Sequence, residues 1–475
     1  MALCKAKGEG GEGEEPVSPT GQYFNSSALS ICILAVLESE IPIDDSTALP
    51  LLNNVFLPIN PRFSSIMVKD KDGGKRWKRV EVKLKDHIQV PIFPSAESYD
   101  TYINDYLSKI SMKQFPENRP LWEIHIIKYP TKHAAGTLVF KLHHALGDGF
   151  SLMGALLSCL QRADNPSLSL TFPSLQSTTP TIPHQDTSIL CKVPKMFSSA
   201  FNTVSDFGWS VLKSVFVEDD PTPIRSGTSG VEFKPVTILT LTFSLDRIKQ
   251  IKAKLGVTIN DVIAGIIFLG TRLYMQSADP SNFNKLKTTS HQHSTALVLL
   301  NTRIINGGYK SVKEMTKPQA DSPWGNQFGF IHVSIPHLHS LHKPLDFIFQ
   351  ARKLIQTKRN SLAVNLTGQL LELLRKFRGP ESTARYIHKT LKNSSMTISN
   401  MIGPQEQMAL ANHPIKGLYF MVVGVPQSLT ITMVSYVGNL RVAVGTEKGF
   451  IDPHKFNASI ENSFDLIYEA ANEVN

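Results

Sequence analysis

The stretch GTLVFKLHHALGDGFSLMGALL, residues 136–157, combines the patterns of a strand, a tight turn and a helix. Its apolar and β-branched start predicts a buried strand, Gly147 and Gly149 predict the turn, and Phe150 to Leu160 predicts an apolar helix. His143 and His144 therefore lie at a strand end. An imidazole held there is well placed to remove a proton from a hydroxyl, because its pKa lies near neutrality. An ordinary packed or surface pair of histidines is the alternative interpretation.

Asp148 follows His144 by four residues, a spacing that would stack the two side chains on a helix. The neighbouring glycines favour a tight loop instead, in which a carboxylate fixes the loop more readily than it touches a substrate. We therefore expect His143 and Asp148 to shape the loop and to orient the imidazole of His144. Gly149 is expected to let the backbone approach the reacting centre, because it has no side chain.

Length and composition predict a large folded protein. The 475 residues, 41% of them hydrophobic, can bury a substantial core and divide into two domains or two halves of one unit. The four cysteines lie far apart at positions 4, 32, 159 and 191, without the paired spacing of a metal site or a dense disulfide framework. We expect a reducing compartment that faces the cytosol, and no metal.

The formal net charge of +9 suits an acidic partner. Nucleic acid, an anionic membrane surface and a phosphate-bearing cofactor all meet that description. Nucleic acid is the weakest of the three, because the basic residues are spread along the chain without an arginine-rich tract or a zinc-finger spacing.

The first half of the chain begins with a glycine- and glutamate-rich stretch that lacks the apolar centre of a secretory signal. We expect residues 1–18 to form a disordered tail. Ala28 to Leu37 is apolar but too short to span a bilayer, so a buried helix or strand is expected. The strands predicted next are WKRVEVKL, LWEIHIIKY and TLVFKLHH, with a helix from Ser98 to Ile110.

A Ser-, Thr- and Pro-rich linker is predicted at 165–235, between lobes at 19–164 and 236–475. Within it, the apolar residues from Ile189 to Phe216 recur near helical spacing, interleaved with Lys192, Lys195 and Lys213. Such an amphipathic helix packs either on the protein's own core or on a membrane interface, and the lysines favour the interface. No stretch offers eighteen uncharged apolar residues, so no membrane-spanning helix is predicted.

The second half alternates predicted strands and helices, with TINDVIAGIIFLGTRLYMQ, residues 258–276, as its most apolar helix. Thr258 is the expected N-cap, which puts Asn260 and Asp261 in the first turn. An acid there complements the helix dipole, so Asp261 has a structural explanation. A hairpin is expected at LTITMVSYVGNLRVAVG, with Gly438 and Asn439 at its turn.

The string His143-His144-Ala145-Leu146-Gly147-Asp148-Gly149 fits the HHxxxDG signature of an acyltransferase superfamily that includes chloramphenicol acetyltransferase and peptide-synthetase condensation domains. More narrowly, the chain resembles the plant wax ester synthase/diacylglycerol acyltransferase family over nearly its whole length. The stretches that carry this closer resemblance are VSPTGQYF, Pro120-Leu121-Trp122, EDDPTPIRSG, TINDVI and ISNMIGP.

The resemblance implies a mixed α/β, two-lobed, chloramphenicol-acetyltransferase-like fold with a tunnel running between the lobes past the histidine. It implies an O-acyltransferase with His144 as general base and with no bound cofactor. The co-substrate would be a long-chain acyl-CoA, and the acceptor a fatty alcohol or diacylglycerol. The ND motif of this family faces the channel, so Asn260 is a candidate to bind a thioester oxygen or to position the acceptor. CoA-binding residues are not assigned, because no phosphate loop of recognised spacing is present.

Two other functions stay open. One is a soluble acyltransferase of the BAHD type, acting on a small secondary-metabolite alcohol or amine. Asp206-Phe207-Gly208-Trp209 resembles the DFGWG motif of that family, but it follows the histidine motif too closely, and helical packing explains its aromatic residues. The other is a non-catalytic lipid-binding scaffold. For the leading interpretation we expect attachment to the cytosolic face of the endoplasmic reticulum, with the plasma membrane as a second location, because the substrates partition into bilayers.

Overall fold

The computed structural model describes residues 15–70, 74–171, 203–279, 293–303, 312–317, 320, 323–336, 343–359 and 361–474. Its architecture is mixed α/β with two large sheets, one in each lobe, and a small three-stranded sheet, as the two-lobed prediction requires. Helices pack on both large sheets.

The first lobe contains a seven-stranded sheet in the order β5-β6-β7-β2-β14-β13-β8. Its strands are β2 (Cys32–Ser39), β5 (Ile88–Gln89), β6 (Trp122–Ile127), β7 (Gly136–His143), β8 (Gln161–Arg162), β13 (Met408–Leu410) and β14 (His413–Val423). The small sheet beside it, in the order β1-β4-β3, consists of β1 (Glu15–Pro16), β3 (Ser65–Lys69) and β4 (Lys75–Arg79).

Strand β7 is central in this sheet and buried at every position, paired antiparallel with β6 and β2. Because side chains alternate along a strand, Phe140 and Leu142 face one core cluster while Val139 belongs to another. The second cluster also contains Ile238 and Ala443 of the other lobe. The strand that carries the histidine motif is therefore enclosed between its own helix on one face and the lobe interface on the other.

The second lobe contains a six-stranded sheet in the order β11-β10-β12-β15-β16-β9. Its strands are β9 (Val236–Ser244), β10 (Thr295–Asn301), β11 (Phe328–Ser334), β12 (Met396–Ile402), β15 (Leu429–Tyr436) and β16 (Asn439–Glu447). Pairing is antiparallel except for β12, which runs parallel to β10 and β15.

Helices α1 (Pro19–Phe24), α2 (Ala48–Leu51), α3 (Leu57–Ile59), α4 (Asp100–Met112) and α5 (Gly149–Ser158) precede the linker. A helix at 203–215, here α6, lies within it. The second lobe has α7 (Leu245–Leu255), α8 (Ile259–Ala278), α9 (Val312–Met315), α10 (Pro344–Arg359), α11 (Ala363–Lys392) and α12 (Pro453–Glu473).

Helix α8 is the buried helix of the second lobe and packs closely against α10 and α12. A Cβ atom at Gly265 would lie 2.9 Å from the Cα of Ile348, and one at Gly270 would lie 2.9 Å from the Cα of Ile460. The two glycines therefore allow a helix-to-helix approach that any larger residue would prevent. The N-cap prediction is confirmed: Thr258 and Asp261 form a reciprocal capping box.

The chain exchanges strands between the lobes, which the sequence-based division at residue 236 does not anticipate. Strands β13 and β14 come from the C-terminal half, yet β14 pairs along its length with β2 in the first sheet. The chain then returns to the second sheet at β15. A strand's pairing partner depends on tertiary contacts, so alternating hydrophobicity alone does not reveal this crossing.

Three further predictions differ from the structure in detail. Residues 1–14 of the expected tail lie outside the described residues, but 15–18 are ordered, because β1 pairs with β4 and Ser18 caps α1. The predicted strand WKRVEVKL covers only the end of β4, which stops at Arg79. The hairpin turn consists of Val437 and Gly438, both with positive φ, one residue earlier than expected.

The end of the linker is fixed to the second lobe by a buried carboxylate. Asp219, 2% exposed, forms an ion pair with Lys213 and accepts hydrogen bonds from the backbone of Thr295 and from the Ser395 hydroxyl, both at 2.7 Å. Arg225 donates to the carbonyl oxygens of Asp219 and Lys392. The EDDPTPIRSG stretch therefore has a structural explanation. Lys213 is buried, so the expectation that it flanks a membrane interface is wrong.

The amphipathic stripe is described only from residue 203 onward; its part at 189–202 lies outside the described residues. In α6 the buried positions include Thr203 and Ser214, whereas four apolar residues in α6 and directly after it are exposed. The exposed ones are Val204 (70%), Trp209 (38%), Leu212 (42%) and Phe216 (77%). Packing on the protein's own core therefore does not account for these four residues, which include Trp209 of the DFGW string.

Within the described part of the chain, no single helix is long and apolar enough to cross a membrane. Helices α7 and α8 are together long and apolar enough to cross a membrane, but the pair is bent by 103° where the two helices meet.

Candidate active site

His144 lies in the turn directly after β7, where its backbone N–H donates to the carbonyl oxygen of Ile31 at 2.9 Å. Its ring is 4.7 Å from the ring centre of Phe24 on α1 and 5.5 Å from that of Phe328 on β11. The residue is 7% exposed. The imidazole is thus enclosed by aromatic side chains from both lobes.

Burial lowers the pKa of His144, because an apolar environment penalises the imidazolium. The charge of Asp148 and the hydrogen bonds of the ring to its own carbonyl oxygen and to Asn326 oppose that shift. The imidazole is therefore neutral near pH 7, which is the protonation state that a general base requires.

Asn326 makes two hydrogen bonds to the same histidine. Its Oδ1 lies 2.9 Å from Nδ1 of His144, and its Nδ2 donates to the backbone carbonyl oxygen of His144 at 3.0 Å. Asn326 precedes β11 in the second lobe, 182 positions along the chain.

His143 is the last residue of β7, and its side chain is buried. Its Nδ1 accepts from the backbone N–H of Ala145 at 3.1 Å, and its Nε2 lies 3.3 Å from the Ser30 hydroxyl. Burial lowers the pKa of His143 to about 3, so this ring is neutral as well. These contacts fit the predicted shaping role, because His143 fixes the turn on which His144 lies.

Asp148 caps α5 and forms a buried ion pair across the lobe interface. Its Oδ1 accepts from the backbone N–H of Ser151 at 3.0 Å. Arg303, at the end of β10, donates to both carboxylate oxygens at 2.6 and 3.1 Å. Asp148 is 4% exposed and Arg303 is 8% exposed. The geometry is that of the loop-fixing role, and the partner is an arginine from the other lobe.

The same ion pair holds the segment 324–327 of the second lobe. Asp148 accepts from the backbone N–H of Gln327 at 2.8 Å, and Arg303 donates to the carbonyl oxygen of Gly325 at 2.7 Å. The Ser151 hydroxyl bonds to the backbone of Gly325, and Trp324 Nε1 donates to the carbonyl oxygen of Leu146 at 2.9 Å. Asn326 lies in the middle of this fixed segment.

Gly149 borders a wholly apolar cavity. A Cβ atom there would lie 2.7 Å from the sulfur of Met401, at the end of β12. The space at Gly149 is therefore needed by a side chain of the other lobe, in addition to any approach of the backbone to a substrate. The cavity lies between α5 and the first sheet. Its lining includes Ile33, Phe140, Leu142, Leu152, Ala155, Leu156, Cys159, Met401, Leu418 and Phe420.

Asn260 lies apart from the residues of the histidine motif. It is exposed, and its Oδ1 accepts from Nδ2 of Asn400 at 2.9 Å. Asn400 is the neighbour of Met401 on β12, and Met401 borders the cavity at Gly149. The pairing joins two stretches of the family resemblance, TINDVI and ISNMIGP.

Sequence reasoning missed Phe24, Arg303, Asn326 and Phe328 as members of the site. Phe24 ends the stretch VSPTGQYF, Arg303 follows β10, Asn326 precedes β11, and Phe328 begins β11. A polar residue at the end of a buried strand was the available signal, but nothing local indicates that three separate stretches meet at one histidine.

Comparison with known proteins identifies the family. The family model "Wax ester synthase/diacylglycerol acyltransferase catalytic domain" matches residues 57–263, and "WS/DGAT C-terminal domain" matches residues 324–468. Wax ester synthase/diacylglycerol acyltransferase 4 of Arabidopsis thaliana is 30% identical over 98% of this chain and 91% of its own length. The chain belongs to the wax ester synthase/diacylglycerol acyltransferase family. Wax ester synthase/diacylglycerol acyltransferase 11 of the same species is 28% identical over 97% of this chain and 96% of its own length.

Solved structures confirm the fold of this family member. The wax ester synthase/diacylglycerol acyltransferase from Marinobacter aquaeolei VT8 superposes with a TM-score of 0.60 at 16% identity, covering 96% of this chain and 100% of that one. The first condensation domain of the CDA synthetase gives a TM-score of 0.52 at 12% identity, covering 93% and 91%. The predicted chloramphenicol-acetyltransferase-like fold is confirmed. Membership of this family favours the wax ester synthase/diacylglycerol acyltransferase interpretation over the BAHD-like alternative.

The ion pair across the lobes leads to a stability prediction. Asp148→Asn keeps the shape of the side chain but leaves Arg303 as a buried charge without a counter-charge. We expect the variant to lose about 3 kcal/mol or more of unfolding free energy, measured by denaturant titration. Asp246→Asn is the control, since Asp246 and Lys249 form an exposed pair, and a change of about 1 kcal/mol or less is expected there. Equal stability of Asp148→Asn and wild type would contradict the loop-fixing role.

Proposed function

We propose that this protein transfers a long-chain acyl group from acyl-CoA to a fatty alcohol, giving a wax ester, or to diacylglycerol, giving triacylglycerol. The observation that carries the proposal is the position of a neutral, buried imidazole in the turn that leads into the apolar cavity. Every side chain that lines the cavity is apolar or a thiol, so it suits a hydrocarbon chain better than a polar acceptor.

The reaction needs one base and no covalent intermediate on the protein. Nε2 of His144 removes the hydroxyl proton of the acceptor as its oxygen attacks the thioester carbonyl carbon. The C–S bond then breaks, the imidazolium returns the proton to the CoA sulfur, and ester and free CoA leave. The aromatic enclosure of His144 keeps water away, which favours transfer over hydrolysis.

Asn260 is proposed to contact a substrate rather than to move a proton. With its Oδ1 occupied by Asn400, the amide can donate its Nδ2 hydrogens to a thioester or alcohol oxygen. Asn260 reaches the cavity only indirectly, since its partner Asn400 precedes Met401 on β12 and Met401 borders Gly149.

A membrane surface is the proposed location of the reaction. The exposed apolar residues of α6 adjoin the start of α11, since the backbone N–H of Leu362, itself 60% exposed, donates to the Thr203 hydroxyl at 3.3 Å. Farther along α11, Phe377 is 76% exposed between Lys376 and Arg378. Apolar residues flanked by cations match the interface of a bilayer with anionic lipids. We propose the cytosolic face of the endoplasmic reticulum, where acyl-CoA is available, with the plasma membrane as a second location.

The catalytic proposal is tested by offering hexadecanol and diacylglycerol in competition to microsomes with labelled palmitoyl-CoA. Wild type should form labelled ester with at least one acceptor. His144→Ala should lower turnover by on the order of a hundredfold or more, because the base is removed from the transition state. A folded His144→Ala variant with near-normal turnover would remove His144 from the mechanism. A wild-type protein inactive with both acceptors would favour the lipid-binding scaffold instead.

The membrane proposal is tested by flotation with vesicles of phosphatidylcholine, with and without phosphatidylserine. Wild type should float with the anionic vesicles, and Trp209→Ser/Leu212→Ser/Phe216→Ser should stay at the bottom of the gradient while retaining transfer to a short, soluble alcohol. Ile92→Ser is the control, because Ile92 is 90% exposed in the other lobe. Flotation of the triple variant equal to that of wild type would exclude α6 as the anchor.

A further inference from the structure

The two hydrogen bonds between Asn326 and His144 determine where the proton lies on the imidazole. The backbone carbonyl oxygen of His144 can only accept, so the group that faces it at 3.0 Å must be the NH₂ of Asn326. The amide oxygen is thereby turned toward the ring, 2.9 Å from Nδ1. Because that oxygen can only accept, Nδ1 must carry a hydrogen, and in the neutral ring Nε2 is left with a lone pair.

We propose that Asn326 is a positioning residue that holds His144 in the Nδ1–H tautomer and thereby makes Nε2 the base. The inference rests on the proposed function, in which Nε2 of His144 accepts the proton of the acceptor hydroxyl. The bond of the ring to its own carbonyl oxygen favours the same tautomer, and the amide adds a second acceptor for Nδ1–H while it also bonds the backbone of His144.

Asn326 can perform this role because its own position is fixed on both sides. The backbone of Gly325 is bonded to Ser151 and Arg303, and the backbone N–H of Gln327 donates to Asp148. The orientation of the amide is therefore determined by the ion pair between the lobes. A residue on a mobile loop would not hold a ring nitrogen in one protonation state.

The neighbouring histidine has the opposite tautomer, which shows that the arrangement is specific to His144. Nδ1 of His143 accepts from the backbone N–H of Ala145, so the neutral ring of His143 carries its hydrogen on Nε2 and donates toward Ser30. Two adjacent imidazoles are thus held in different states by different partners. Of this pair, only His144 has a basic Nε2.

The groups that face His144 come from four elements. Asp148 and His143 lie on its own strand and turn, Asn326 lies on the 324–327 segment, and Phe24 and Phe328 supply rings from α1 and β11. Asp148 is the charged member of this set and has its own partner in Arg303. A change at Asn326 therefore acts on the ring directly and leaves this ion pair in place.

The first test is the ¹⁵N–¹H spectrum of the full-length protein labelled at its histidines, with His144 assigned by its loss in His144→Ala. Wild type should show His144 with a protonated Nδ1 and an unprotonated Nε2. A wild-type signal for an Nε2–H tautomer overturns the proposal whether or not any Asn326 variant folds.

The second test compares Asn326→Ala and Asn326→Asp in the transfer of a palmitoyl group to hexadecanol. Asn326→Ala should weaken the preference for the Nδ1–H tautomer and lower kcat by roughly tenfold to a hundredfold with little change in KM, because the loss acts on the base. Asn326→Asp keeps an acceptor for Nδ1–H and should recover part of kcat. Its carboxylate favours the imidazolium and raises the pKa of His144, so the acidic limb of the kcat profile should move to higher pH.

Asn393→Ala is the matched control. Asn393 is buried and donates to the carbonyl oxygens of Lys213 and Ser214, so the variant also loses two hydrogen bonds but none to His144. It should lower stability without changing the His144 signal or the pH profile of kcat. An Asn326→Ala variant with wild-type kcat and tautomer would overturn the inference while leaving the acyl transfer intact. Failure of the proposed function would appear separately, as absence of transfer by wild type.

Discussion

The ion pair between Asp148 and Arg303 is the interaction on which the rest of the site depends. The two opposite charges are both more than nine-tenths buried and meet in a bidentate arrangement. Asp148 is the N-cap of α5, and Arg303 lies at the end of β10. Burial makes each charge costly without the other, so the pair ties the lobes together at one place. The carboxylate also caps α5, which fixes the helix, the turn and the opposite lobe relative to one another.

The consequence is a histidine whose environment is assembled from both lobes. Phe24 and Phe328 approach the ring from different ends of the chain, and Asn326 binds it through a segment that Asp148 and Arg303 hold. An apolar cavity begins one turn farther along, at Gly149, with Met401 of the second lobe at its border. The proposed base, the amide proposed to orient it and the apolar cavity therefore share one frame, as catalysis by positioning requires.

The sequence predicts the parts of this arrangement that are local. The strand, turn and helix around His144 follow from hydrophobic periodicity and two glycines, and the capping box at Thr258 and Asp261 follows from residue types in one helical turn. Arg303 and Asn326 are 155 and 182 positions away from their partners. The strand exchange by β14 is equally non-local. The family resemblance implied the two-lobed fold, but it did not indicate these partners, since side-chain contacts between distant stretches leave no periodic pattern.

If Asn326 positions His144 as proposed, the ion pair between the lobes acts on the imidazole through Asn326. This dependence is tested most directly by a double-mutant cycle on kcat for palmitoyl transfer to hexadecanol, using Asp148→Asn, Asn326→Ala and the double variant. If Asp148 acts through the segment that carries Asn326, the double variant should lose little more activity than the poorer single variant, a coupling of about 1 kcal/mol or more. Losses that multiply independently would contradict the account.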